Sequence, residues 1–187
     1  MLKTRRLCSI AILAIVICAM EKPVYADAKE TWNHTLATTG FQQQERMDWC
    51  WVASARNMAV TKVSNVNVKK TQSDVVKSIK GSVKNCTGSL RDISVATKKF
   101  NISCASSYKS SRLSFNTIKG KINKGGGVVM VMQHPLYGKH AILLYAYSSS
   151  KNVKVYDSKG GAILCKYANL RDGKVLPGYS YEESVYF

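Results

Sequence analysis

The sequence predicts an α+β domain with a mainly antiparallel sheet. Two observations carry that expectation: apolar residues at helical spacing fall before Gly125, and short runs rich in branched and aromatic residues, broken by Gly, Ser, Asn and Pro, follow it. An alternating α/β chain would interleave the two patterns, whereas helices first and strands second segregate them.

From Cys50 to about Val60, Trp51, Ala55 and Met58 recur at helical spacing, as do Val52, Ala55 and Ala59, so this helix is expected to be buried on more than one side. Asp48, just ahead of it, is placed to cap its first turn. A second helix is expected from Ser73 to Lys80, stopped by Gly81. Ser89 with Asp92 three residues on resembles a capping box, and Leu90, Ile93, Ala96 and Phe100 form an inward stripe behind it. Ser114 caps a further helix carrying Phe115, Ile118 and Ile122, which contains Gly120 and ends at Gly125 to Gly127. Strands are expected at Val128 to Met132, His140 to Tyr147, Val153 to Asp157 and Ala162 to Tyr167, with Val185 to Phe187 closing the sheet.

The first 26 of the 187 residues read as a secretory signal. Lys3, Arg5 and Arg6 precede an apolar run from Ile10 to Met20, and Val24-Tyr25-Ala26 and Ala26-Asp27-Ala28 suit a signal peptidase. The run is short of the roughly 20 apolar residues that span a bilayer, and it ends in Glu21, Lys22 and Pro23. Residues 27–187 are therefore expected to be secreted as one domain, large enough to sustain a core. Removal of the signal takes Cys8 and Cys18 and leaves Cys50, Cys86, Cys104 and Cys165. Four cysteines allow three pairings, and Cys86 with Cys104, which flank one expected helix, is the preferred bridge. Residues 27–187 carry 24 basic against 10 acidic side chains, a formal +14. Such a field suits acidic surfaces or cell-wall polymers. The lysines are scattered without a dense block or an aromatic platform, so no specific nucleic-acid partner is expected.

A thiol is nucleophilic as its thiolate, and the start of a helix favours that form. Cys50 sits at such a start. Its partner must take and return a proton near neutral pH, the work of histidine. Of His34, His134 and His140, only His140 opens a strongly apolar strand, Ala141-Ile142-Leu143-Leu144-Tyr145, which would hold its ring rigidly. A hairpin through Ser148 to Lys151 brings Asp157 beside His140, where a carboxylate can orient the imidazole. Asp157 ahead of Ser158-Lys159-Gly160-Gly161 is equally an ordinary turn residue. The oxyanion of acyl transfer needs donors, which the Cys50 amide and a glutamine side chain can supply. Spacing favours Gln44 for that role, with Gln42 and Gln43 as competitors.

Gln44, five intervening residues and Cys50-Trp51-Val52-Ala53-Ser54 resemble the papain-like cysteine protease motif, and Gly138-Lys139-His140-Ala141-Ile142-Leu143 followed by Val155-Tyr156-Asp157 resembles that family's second half. The pattern is most similar to the bacterial branch, which contains peptidases that trim double-glycine leaders and secreted effector proteases. The resemblance spans nearly all of residues 41–187. It implies a papain-like fold, a peptide or protein substrate, and Cys50 as nucleophile, His140 as base, Asp157 as orienting group and Gln44 as oxyanion donor. Met47 and Trp49 stand where the eukaryotic group has Cys and Ser, so neither that group's disulfide nor its specificity carries over. About two dozen residues separate the expected signal from Cys50, too few for a papain-type inhibitory propeptide, so control is expected from elsewhere, such as a protein inhibitor.

Two other functions fit parts of the sequence. A cell-wall amidase or endopeptidase on the same scaffold would use the basic charge, and a non-catalytic secreted binding protein or toxin would use the surface without the thiol. No cofactor or metal is expected, since the cysteines and histidines show no C-x-x-C or H-E-x-x-H spacing.

Overall fold

The computed structural model describes residues 31–187, so the expected signal segment lies outside the described residues. Helix α1 (Cys50–Val63) is followed by α2 (Gln72–Lys80), α3 (Leu90–Phe100) and α4 (Phe115–Asn123). Every residue of α1 from Trp51 to Val60 is buried, the burial expected of a helix that is apolar on several faces. Its buried polar side chains are all partnered: Arg56 donates to the Gly40 carbonyl at 2.6 Å and to Asn65 Oδ1 at 2.9 Å, while Asn57 exchanges two 2.9 Å bonds with the Gln42 backbone. Both α2 and α3 begin with capping boxes, Thr71 with Asp74 and Ser89 with Asp92. Lys80 at the end of α2 meets Asp92 at 2.8 Å and fastens the two helices together. Ser114 caps α4 through the Thr117 amide, as expected.

The strands form an antiparallel seven-stranded sheet among the described residues. Its members are β1 (Trp32–Thr35), β2 (Ser107–Lys109), β3 (Val128–His134), β4 (Gly138–Ser148), β5 (Asn152–Asp157), β6 (Gly161–Lys166) and β7 (Ser180–Tyr186). They lie in the order β2-β7-β3-β4-β5-β6, with β1 pairing β4. Helices α1, α2 and α3 share a core with Val129, Val131, Ala141, Leu143 and Val185. The alternate residues Val128, Met130, Met132, Ile142 and Leu144 enter a second core with α4 and a short helix α5 (Tyr167–Arg171). Strands β3 and β4 are thus covered on both faces, which explains their continuous apolar runs.

A bulge in β4 sets the register that matters most. Leu144 pairs with Val155 and Ala146 with Lys154, leaving Tyr145 without a partner on β5. The Tyr145 carbonyl instead accepts from the Leu36 amide at 3.0 Å. As a result Asp157 lies opposite Ile142, on the face that alternation assigns to His140. In an unbulged register it would lie opposite Leu143, on the other face.

Three expectations are corrected. Asp48 does not cap α1: its carboxylate accepts from Asn85 Nδ2 at 2.9 Å, Trp49 takes the capping position, and no side chain bonds the first turn. Tyr167 opens α5 instead of ending β6. The Cys86–Cys104 bridge is absent, and Cys50, Cys86, Cys104 and Cys165 are all free thiols. Cys86 precedes α3 and Cys104 follows it. At 1.5 Å per residue the intervening helix is on the order of 16 Å long, so a bridge, which tolerates roughly 7 Å, would need both flanking segments to fold back along it. The sulfur of Cys104 is turned inward toward the Ala59 carbonyl.

Candidate active site

Cys50 is the first residue of α1. One turn on, Ser54 donates from Oγ to the Ala141 carbonyl at 2.9 Å, a buried bond that staples the helix of Cys50 to the strand of His140. His140 is buried, and its Nε2 lies 2.9 Å from Asp157 Oδ1. A carboxylate only accepts, so Nε2 carries the proton in this bond. Nδ1 is then the ring nitrogen left for Cys50, which lines the same cleft and helps to raise the pKa of the ring. Asp157 Oδ1 also accepts from the Lys159 amide at 2.8 Å, which fixes the carboxylate while it orients the ring.

These contacts decide the protonation of the pair. Burial works against a charge on His140, but the hydrogen bond to Asp157 and the contacts with Cys50 outweigh it and raise its pKa to about 9. Burial likewise opposes the charge of Asp157, and the bonds from His140 and from the Lys159 and Gly160 amides overcome it, holding the carboxyl below its ordinary value. An imidazolium and a carboxylate therefore coexist at neutral pH beside Cys50. Two other thiols are held protonated. Burial pushes Cys104 up to about 11 and Cys165 up to about 12, so both stay protonated and weakly nucleophilic.

Beside Cys50 and His140 opens a cleft of about 210 Å³, lined by Trp51, Gly88, Ile93, Val131 and Ala141, with Lys139 at its rim. One wall belongs to the loop of residues 81–89, which the two tryptophans at the start of α1 hold in place. Trp49 Nε1 donates to the Lys84 carbonyl and Trp51 Nε1 to the Cys86 carbonyl, each at 2.9 Å. Gly88 lies against the Trp51 indole so closely that a Cβ there would run into the ring. A larger groove of about 750 Å³ along α3, lined by Lys70, Val95, Lys98 and Ile102, contains none of the reactive groups. Volume is therefore a poorer guide to the site than chemistry.

Of the four expected site residues, the structure brings Cys50, His140 and Asp157 together and places Gln44 next to Asp157. The Gln44 amide donates to the Ser158 carbonyl at 3.1 Å, and Ser158 Oγ donates to Gln44 Oε1 at 2.9 Å. Gln42 and Gln43 are held by their backbones, to Asn57 and to Gln72 Nε2, with their side chains exposed. Gln44 Nε2 donates to the Arg46 carbonyl at 2.8 Å and to the Met47 carbonyl, so both its hydrogens are engaged within its own loop. Ser54, Ser158 and Gly88 are site residues to which the sequence alone assigns no role. The spacing of Ser54, four residues after Cys50 on the same helix face, is the one signal that reveals any of them.

The model of the Peptidase_C39 like family matches residues 35–172, a span that includes Gln44, Cys50, His140 and Asp157. No curated protein sequence matches the chain. Among solved structures, it is similar to a double glycine motif protease from an AMS/PCAT transporter in complex with the leader peptide. That similarity has a TM-score of 0.47 and 12% identity, and covers 83% of this chain and 94% of that one.

Proposed function

We propose that this chain, which belongs to the Peptidase_C39 like family and is a cysteine peptidase, hydrolyses peptide bonds through a Cys50–His140–Asp157 triad and does so as a secreted protein. The observation that carries the triad is the buried imidazole of His140, held by Asp157 at 2.9 Å and lining one cleft with Cys50, the first residue of α1. The Cys50 sulfur, as a thiolate whose proton already resides on the His140 imidazolium, attacks the substrate carbonyl. The oxyanion forms near the uncapped start of α1, where the Cys50 amide is a donor. His140 then passes its proton to the departing amine, leaving a thioester that water hydrolyses with His140 as base. Gln44 supplies a second oxyanion donor when substrate draws its Nε2 from the Arg46 and Met47 carbonyls. The apolar cleft at Trp51, Gly88 and Ile93 supports binding of an apolar substrate side chain.

Mass spectrometry of residues 27–187 after brief exposure to iodoacetamide, without reductant, tests the triad. The expected result is one fast label on Cys50, lost in Cys50→Ala and strongly slowed in His140→Ala, with loss of casein hydrolysis in both variants. Preferential labelling of Cys165, or an unlabelled wild type, would overturn the assignment. The +14 charge favours one further reading, an amidase or endopeptidase acting on anionic cell walls. Clearing of purified walls with casein left intact would establish that reading in place of the protease.

A further inference from the structure

The cleft at Cys50 accounts for only one side of His140. On the other side a run of rings leads away from the site. The Tyr179 ring meets the His140 ring edge to face at 5.9 Å, His134 lies 4.9 Å from Tyr179, and Tyr137 lies 4.4 Å from His134. The run ends at the β3–β4 hairpin tip, where Leu136 is 81% and Tyr137 75% exposed. Large apolar side chains presented to water beside a reactive centre mark a contact surface.

Hydrogen bonds define the shape of this surface. His134 Nδ1 accepts from the Leu136 amide at 2.9 Å and the Tyr137 amide at 3.1 Å, so the imidazole pins the tip. Tyr179 stands on a turn in which its own amide donates to the Leu176 carbonyl at 2.9 Å. Pro177 and Gly178 occupy the middle positions of that turn, and Gly178 has a φ of +77°, as a type II turn requires. Gly178 is also the floor under His134, where a Cβ would collide with Nε2. Holding apolar side chains in one exposed arrangement lowers the ordering cost when a ligand covers them.

We infer that Tyr179, His134, Tyr137 and Leu136 receive the departing half of the substrate and select an apolar or aromatic residue directly after the scissile bond. This rests on the triad reading. His140 delivers its proton to the departing nitrogen, so that half of the substrate must pass the imidazole, while the acyl half stays bonded to Cys50 beside the apolar cleft. An extended peptide advances about 3.3 Å per residue. The first residue beyond the bond therefore reaches Tyr179, and the next two lie over His134, Tyr137 and Leu136.

The test is digestion of a proteome-derived peptide library, with cleaved bonds read by mass spectrometry, using wild type, Tyr179→Ala and the Leu136→Ser/Tyr137→Ser double variant. Iodoacetamide labelling of Cys50 in the same samples checks that each site is formed. The wild type is expected to enrich Phe, Tyr, Leu, Ile or Met several-fold after the cleaved bond. Both variants should flatten that enrichment and keep the wild-type profile before the bond. The inference is overturned if the wild type shows no apolar preference after the bond, or if the preference survives in both variants. A wild type that cleaves no peptide and leaves Cys50 unlabelled refutes the triad itself and this surface with it. The double variant alters only exposed side chains, so a folding defect in Tyr179→Ala leaves the question decidable.

Discussion

The charge of a single ring sets how the site responds to pH. His140 is raised to about 9 from an ordinary 6.5, so its contribution to stability is complete below about pH 6.5 and is lost as pH rises through about 9. Asp157 is lowered, so its contribution is present above the ordinary carboxylate range and is lost as pH falls through its folded value. Urea unfolding at pH 7 and pH 10 should show the midpoint falling at the higher pH. The alkaline limb of Cys50 alkylation should likewise lie near pH 9 in the wild type. In Asp157→Ala, burial opposes the imidazolium without its strongest counterweight, and the limb should move down by about one to three pH units. Gln44→Ala should lower kcat by roughly a hundredfold with the limb unmoved, as loss of an oxyanion donor does. Cys50 and His140 are legible in the sequence because helix start and apolar strand each constrain one of them locally, whereas the hairpin brings Asp157 near His140 without fixing the face on which it lies. The contact of Gln44 with Ser158 is not legible either, because it joins residues 114 positions apart and no local pattern encodes it.

At the scale of elements, the site depends on how α1 is seated. Trp51 is fully buried and supports the loop bearing Gly88, so Trp51→Ala should cost about 3–5 kcal/mol in chemical denaturation. Ser54→Ala should cost about 1–3 kcal/mol, because the buried Ala141 carbonyl loses its partner. A decline in Cys50 labelling beyond that of a core control of equal stability would identify Ser54 as a positioning residue. The helices were readable because capping pairs and inward stripes are short-range features, and the structure places Ser89, Asp92 and Ser114 in those capping roles. The strands β1 and β2 were not. Only four and three residues long, they are too short to show alternation, and β2 is exposed throughout and defined by its pairing with β7. The bulge at Tyr145 is equally silent in sequence, since the partner of its carbonyl is the distant Leu36 amide, yet it decides which face receives Asp157.

At the scale of the molecule, the reactive groups straddle a seam between the helical layer and the sheet, and the fold closes that seam without a covalent staple among the described residues. Thiol titration of unfolded, unreduced residues 27–187 should count four thiols, and a count of two would show that a bridge forms in solution. The α+β class was legible because helical and strand patterns occupy separate halves of the chain. The strand order was not, because β7 inserts between β2 and β3, one strand in from the edge, a placement that depends on long-range pairing. That placement governs time as well as space. Strand β3 keeps an open flank until β7 arrives, and His140 belongs to the strand on the other flank of β3. A ribosome reaches residues 180–186 about 130 positions after the codon for Cys50, so the nascent chain carries Cys50 well before the sheet that holds His140 can be completed. Of the seven described strands, the one that completes the flank of β3 is thus the last to be made.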